Sequence, residues 1–116
     1  MLSHEYQVLF IGDQSSHQRF VQMLRGAEDA DFAVRKAGSW QSAAPQISAG
    51  GLDAIVWNPP AGEGKLALLQ EACKKNDCVA FLVLVPENQK LLGRRAVRAG
   101  ADDYLLRETL NDSLLQ

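Results

Sequence analysis

At 116 residues the chain has the length of one domain, enough to bury a core without disulfides or a structural metal. Hydrophobic residues at 47% and charged residues at 22% exclude a disordered chain, and a formal charge of -2 gives no global pull toward nucleic acid or an anionic membrane. The start, MLSHEYQVLFIG, has no basic segment ahead of its apolar stretch, and the longest apolar run, VAFLVLVP, falls far short of the roughly 20 residues of a membrane helix, so a cytoplasmic protein is expected.

Apolar runs bounded by turn residues alternate with helical stretches along the whole chain. YQVLFIG reads as the first strand, and QRFVQMLRGAE as the first helix, with Phe20, Met23, Leu24 and Ala27 on one face and Ser15 or Ser16 as its cap. FAVRKAG is the second strand. SWQSAAPQISAG holds a second helix in which Pro45 must either kink the interior or mark the true first turn. DAIVWN is the third strand, GKLALLQEACKKN the third helix and VAFLVLV the fourth strand. QKLLGRRAVRAG follows as the fourth helix, stopped by Gly100, and DYLLR as the fifth strand leads toward a fifth helix. Residues 8–11, 54–57 and 79–85 are apolar throughout, without alternation, as in parallel strands buried on both faces. Five β-α units in series predict an α/β fold, a parallel sheet covered by helices on both faces.

Functional groups of such a sheet gather beyond the carboxyl ends of its strands, which nominates Gly12, Asp13, Asn58, Val85 and Arg107. At these positions the chain resembles the receiver domain of bacterial response regulators, the CheY-like family. GADDYLLR at 100–107 is close to the family's GADDYLxK, and LDAIVWNPP at 52–60 matches its PDLVLLDxxMP in spacing. The resemblance spans residues 6–116 and implies a three-layer flavodoxin-like fold with strand order 2-1-3-4-5. It also implies a two-component signalling role, in which a carboxylate at the end of strand three takes a phosphoryl group with the help of Mg2+ held by acids after strand one.

The chain departs from that pattern where the chemistry would occur. Asn58 stands at the phosphoacceptor position, and an amide nitrogen is a poor nucleophile while its oxygen is a weak metal ligand. The acid pair has become Gly12 and Asp13, so Mg2+ binding is expected to be weak or lost and no cofactor is expected. Val85 replaces the hydroxyl residue after strand four, Pro86 the small residue beyond it, Arg107 the phosphoryl-bridging lysine and Glu108 the following proline. The expectation is a pseudo-receiver, acting by docking or dimerisation to control a protein partner or a linked output domain. The alternative is a small-molecule sensor in the vacated pocket, with Val85, Pro86 and Trp57 making it apolar.

Tyr104 matches the aromatic switch position of the family and reads here as a static packed ring. Lys90, Arg94 and Arg98 recur every four residues on the fourth helix, beside Arg95, and form a basic stripe. With Asp102, Asp103 and Arg107 they suggest a mixed-charge surface for a homodimer through helix four, strand five and helix five. Neither nucleic acid nor membrane is an expected partner of this domain.

Other signals weigh less. GEGK at 62–65 lacks the first glycine and the hydroxyl of a phosphate loop, since Pro59 and Leu66 stand there. Cys73 and Cys78 have neither zinc nor redox spacing, and His4 and His17 read as solvent-facing. Ser15, Ser16 and His17 near Asp13 are the only nucleophile-base candidates, and capping explains the serines, so no enzyme is expected. A single domain over 1–116 is expected, and the ending NDSLLQ, early in a fifth helix, reads as the approach to an output domain of a longer regulator.

Overall fold

The computed structural model describes residues 5–25, 31–59, 66–76 and 79–108. His4, Ala27, GEGK at 62–65, Cys78 and the fifth helix lie outside the described residues. In chain order the elements are β1 (Glu5–Ile11), α1 (Gln14–Arg25), β2 (Asp31–Ala37), α2 (Trp40–Ala49) and β3 (Ala54–Trp57). They continue with α3 (Leu66–Lys75), β4 (Ala80–Val85), α4 (Lys90–Arg98) and β5 (Asp103–Leu106), with a short 3-10 turn, Glu87–Gln89, before α4.

The strands form one parallel sheet of order β2-β1-β3-β4-β5, the flavodoxin-like arrangement. Its two faces bury separate cores, which is why the central strands are apolar at every position. Leu9, Ile11, Ile55, Trp57, Val83 and Val85 pack with Ala43 of α2, Leu69 of α3 and Ala96 of α4. On the other face Val8, Phe10, Val56 and Leu84 pack with Phe20 of α1, flanked by Met23 and Leu24.

One helix end differs from the sequence expectation, and two others follow it. Asp13, not Ser15 or Ser16, caps α1: its Oδ2 accepts from the Ser16 N–H at 3.2 Å, and its carbonyl accepts from the His17 N–H. A carboxylate at this position also meets the positive end of the helix dipole, an advantage that a serine hydroxyl lacks. Pro45 lies inside α2, which starts earlier through a capping box between Ser39 and Ser42. The proline is exposed, so the Gln41 carbonyl left without an N–H partner is on the solvent side. Gly100 follows α4 with φ of 127°, and a Cβ there would sit 3.0 Å from the Cys73 Cβ, so both backbone and space call for glycine.

Asp53 and Asp102, the residues just before β3 and β5, repeat one device. The Asp53 N–H donates to the Gln7 carbonyl at 2.8 Å while its Oδ2 accepts from the Gln7 N–H at 2.8 Å. Asp102 does the same with Phe81, at 2.8 and 2.7 Å. Each carboxylate thus closes the amino end of a ladder with a charge-assisted bond. Replacing Asp102 with Ala leaves the Phe81 N–H without its acceptor, and urea denaturation is expected to show a loss of about 1–3 kcal/mol.

Candidate functional site

The connections of this sheet run to opposite sides after β1 and after β3, so the carboxyl ends of those two strands open into a crevice. A cleft of about 860 Å³ lies there, lined by Gly12, Asp13, Gln14 and Ser16 on the α1 side and by Gly38, Ser39, Trp40 and Gln41 on the α2 side. Ile11, Lys36, Trp57, Asn58, Pro59, Leu68 and Arg107 also line it.

Asn58 extends the β3 ladder, its N–H donating to the Ile11 carbonyl at 2.8 Å, and is only 7% exposed. Its Nδ2 donates to the Ser16 Oγ at 2.9 Å and, at 3.3 Å, to the Asp13 Oδ1. The Asp13 carboxylate dictates this amide orientation, because the reverse would set oxygen against oxygen. The Asn58 Oδ1 is consequently buried with no partner. The Ser16 hydroxyl, donating in turn to Asp13, is the main reason that this carboxyl is held below its ordinary value; partial burial opposes it, and backbone N–H groups of the same turn add to it. An amide N–H₂ therefore faces Asp13, the one acid among the described residues of the cleft, in the place where a cation would need an oxygen.

Gly12 is constrained as well. A Cβ at this position would lie 2.9 Å from Cε1 of Phe10 and 3.1 Å from the Asn58 Cβ. The Phe10 ring thus occupies space beside the site that an acidic side chain at position 12 would need. The sequence reading missed Phe10, and only the two-residue strand period, which puts positions 10 and 12 on the same face, hinted at it.

His17 is half-buried, not solvent-facing. Its ring meets Phe10 edge-on with centroids 5.8 Å apart, one helical turn before Phe20, and both ring nitrogens lack partners. Burial, with Lys36 adding charge repulsion, lowers its pKa below the ordinary value. No hydrogen bond joins it to Ser15 or Ser16, so the described residues hold no serine-histidine pair.

The remaining nominated residues fall in three places. Arg107 reaches the cleft from the end of β5, donating from Nη2 to the Pro59 carbonyl at 3.1 Å, with Nε buried and unpartnered. Val85 is fully buried beneath α4, and neither it nor Pro86 lines the cleft; its apolar walls are instead Trp57 and Trp40, edge-to-face at 5.4 Å between centroids. Lys90, Arg94, Arg95 and Arg98 lie exposed on α4. Tyr104 lies across that helix at Gly93, where a Cβ would come within 2.5 Å of its ring. Asp102 and Arg107 stand at opposite ends of β5, roughly 16 Å apart by strand geometry, and the Asp102 carboxylate is held by the Phe81 N–H. Glu108 accepts from the Glu87 N–H at 3.0 Å, tying the end of β5 to the turn before α4.

Among the described residues no group of three or more His, Cys, Asp and Glu side chains converges to hold a metal, and no helix is long and apolar enough to cross a membrane. No family model matches the chain, and no curated protein matches it. Solved structures do. A response regulator from Thermotoga maritima superposes with a TM-score of 0.70 at 20% identity, covering 99% of this chain and 100% of that one. A response regulator protein from Burkholderia pseudomallei with a phosphorylated aspartic acid, calcium ion and citrate gives 0.69 at 25% identity, covering 95% of this chain and 64% of that one. The RcsB response regulator of Salmonella typhimurium gives 0.75 at 8% identity, covering 99% of this chain and 57% of that one. The fold is that of response-regulator receiver domains, the CheY-like architecture.

Two measurements check this description. Asn58→Asp sets a second carboxylate against Asp13, and thermal melts are expected to show a loss of about 1–3 kcal/mol that millimolar Mg2+ restores. Because the folded pKa of His17 lies below 6.5, its contribution is fully present above that value and lost as pH falls through the lowered one. His17→Phe is therefore expected to flatten the stability profile just below pH 6.5 relative to the parent protein, read by urea denaturation across pH.

Proposed function

We propose that this chain is a receiver-like module of two-component signalling that works without phosphorylation, controlling a protein partner or a linked output domain by docking or self-association. The observation that carries the proposal is the Asn58 amide at the end of β3, donating to Asp13 and Ser16. The Burkholderia pseudomallei protein has a phosphorylated aspartic acid, whereas this chain offers an uncharged amide at the position that motif spacing assigns to the acceptor. An aspartyl phosphate does not form on an amide, and a lone, engaged carboxylate is a poor Mg2+ site. Asp13, Ser16 and His17 serve as cap, relay and packing group in this reading, and the module is not an enzyme.

The surface that suits docking is α4. Leu91 is 59% and Val97 38% exposed, between the cations Lys90, Arg94, Arg95 and Arg98. Apolar residues ringed by one sign of charge favour an acidic partner surface with apolar anchors. This chain spans 57% of the RcsB chain, and an output portion attached beyond β5 belongs to the same proposal.

The test is intact mass spectrometry after incubation with Mg2+ and acetyl phosphate, together with Trp57 fluorescence during titration with beryllofluoride and Mg2+. Unchanged mass and fluorescence are expected. A gain of one phosphoryl mass, or a saturable Mg2+-dependent fluorescence change, overturns the reading.

A further inference from the structure

We propose that the cleft between the amino ends of α1 and α2 binds a small organic acid, an aromatic or alicyclic body bearing one carboxylate. This goes beyond the signalling reading and holds whether or not α4 docks a partner.

Size and wall chemistry come first. At about 860 Å³ the cleft falls within the range of small-molecule sites, roughly 300–1,000 Å³. Trp57 and Trp40 form one apolar wall, and Pro59 and Leu68 add to the lining. Leu68 is 44% exposed, a large apolar side chain with little to cover it. Trp40 and Leu68 also line an adjoining groove of about 330 Å³ between α2 and α3, where Ala44, Ile47 and Ala72 continue the apolar surface. The body of the ligand lies along this surface.

The unpaired polar groups define the rest of the ligand. Arg107 is half-buried, has no carboxylate partner among the described residues, and keeps an Nε with no acceptor. A cation partly removed from water without a counter-ion is a standing cost that an incoming carboxylate relieves with charge-assisted hydrogen bonds. Asp13, the only acid lining the cleft among the described residues, is engaged by Ser16 and Asn58 and does not neutralise Arg107. Lys36 adds a second positive charge to the lining, so the described residues of the cleft are net positive. A neutral ligand leaves Arg107 unpaired. Inorganic phosphate leaves Leu68 and the half-buried Trp40 uncovered and brings a dianion toward Asp13.

The experiment is isothermal titration calorimetry of the whole chain with 2-naphthoate, its neutral analogue naphthalene-2-methanol, and inorganic phosphate. Saturable one-to-one binding of naphthoate is expected, with the alcohol weaker by about tenfold or more, as the loss of one charge-assisted hydrogen bond implies. Arg107→Gln is expected to weaken naphthoate by a similar factor and leave the alcohol unchanged. Leu68→Asp, at an exposed position, is expected to weaken both. No saturation by naphthoate up to its solubility, equal affinity for acid and alcohol, phosphate binding as tight as naphthoate, or indifference to both substitutions overturns the proposal. If Arg107→Gln fails to fold, the acid-alcohol comparison on the parent chain decides. None of these outcomes alters the phosphorylation test, so the two readings fail separately.

Discussion

The contact between the Asn58 amide and the Asp13 carboxylate organises the carboxyl edge of the sheet. It joins the end of β3 to the first turn of α1, and through Ser16 it closes a small relay of donors onto one acid. A divalent cation would hold the same two strand ends together by attracting oxygens; a neutral N–H₂ does so without any ion. The arrangement costs one unsatisfied oxygen, the Asn58 Oδ1, buried where water does not reach it. It also leaves the charge of Arg107 without a carboxylate partner among the described residues.

Much of the fold was legible because its signals are local. The uniform apolar runs in β1, β3 and β4 report burial on both faces, and the strand order followed from the family resemblance. What was not legible depends on competition in space. Asp13, Ser15 and Ser16 can all cap α1, and the choice fell to Asp13 because of its place relative to the first turn. Pro45 offered two readings, settled by the earlier start that the Ser39–Ser42 box imposes. Motif spacing pointed to Gly12, Asp13, Asn58 and Arg107, which line the cleft, and to Val85 and Pro86, which do not, and the shape of the cleft was not readable. Nothing in the order of residues says that the Phe10 ring fills the space beside Gly12, or that Trp40, from the far side of β2, forms the apolar wall expected of Val85.

β5 connects the two surfaces of interest. Tyr104 lies on α4 at Gly93, and Arg107, three residues further, reaches over to Pro59 in the cleft. Glu108 ties the same segment to the turn that starts α4. A shift of Arg107 toward a cleft ligand would therefore pull on a strand whose other contacts carry the basic helix. The absence of a Cβ at Gly93 makes the strand-helix contact close, and close packing transmits displacement rather than absorbing it.

The paired aspartates at the opposite edge give the sheet a mechanical polarity. Asp53 and Asp102 fasten the amino ends of β1–β3 and β4–β5 with ionic acceptors, whereas the carboxyl ends are joined by neutral backbone bonds from Gly12, Asn58 and Arg107. The two edges are thus fastened independently: the carboxylate bonds of the amino edge lie away from the cleft, so a change of ligand or side chain at the mouth leaves them in place.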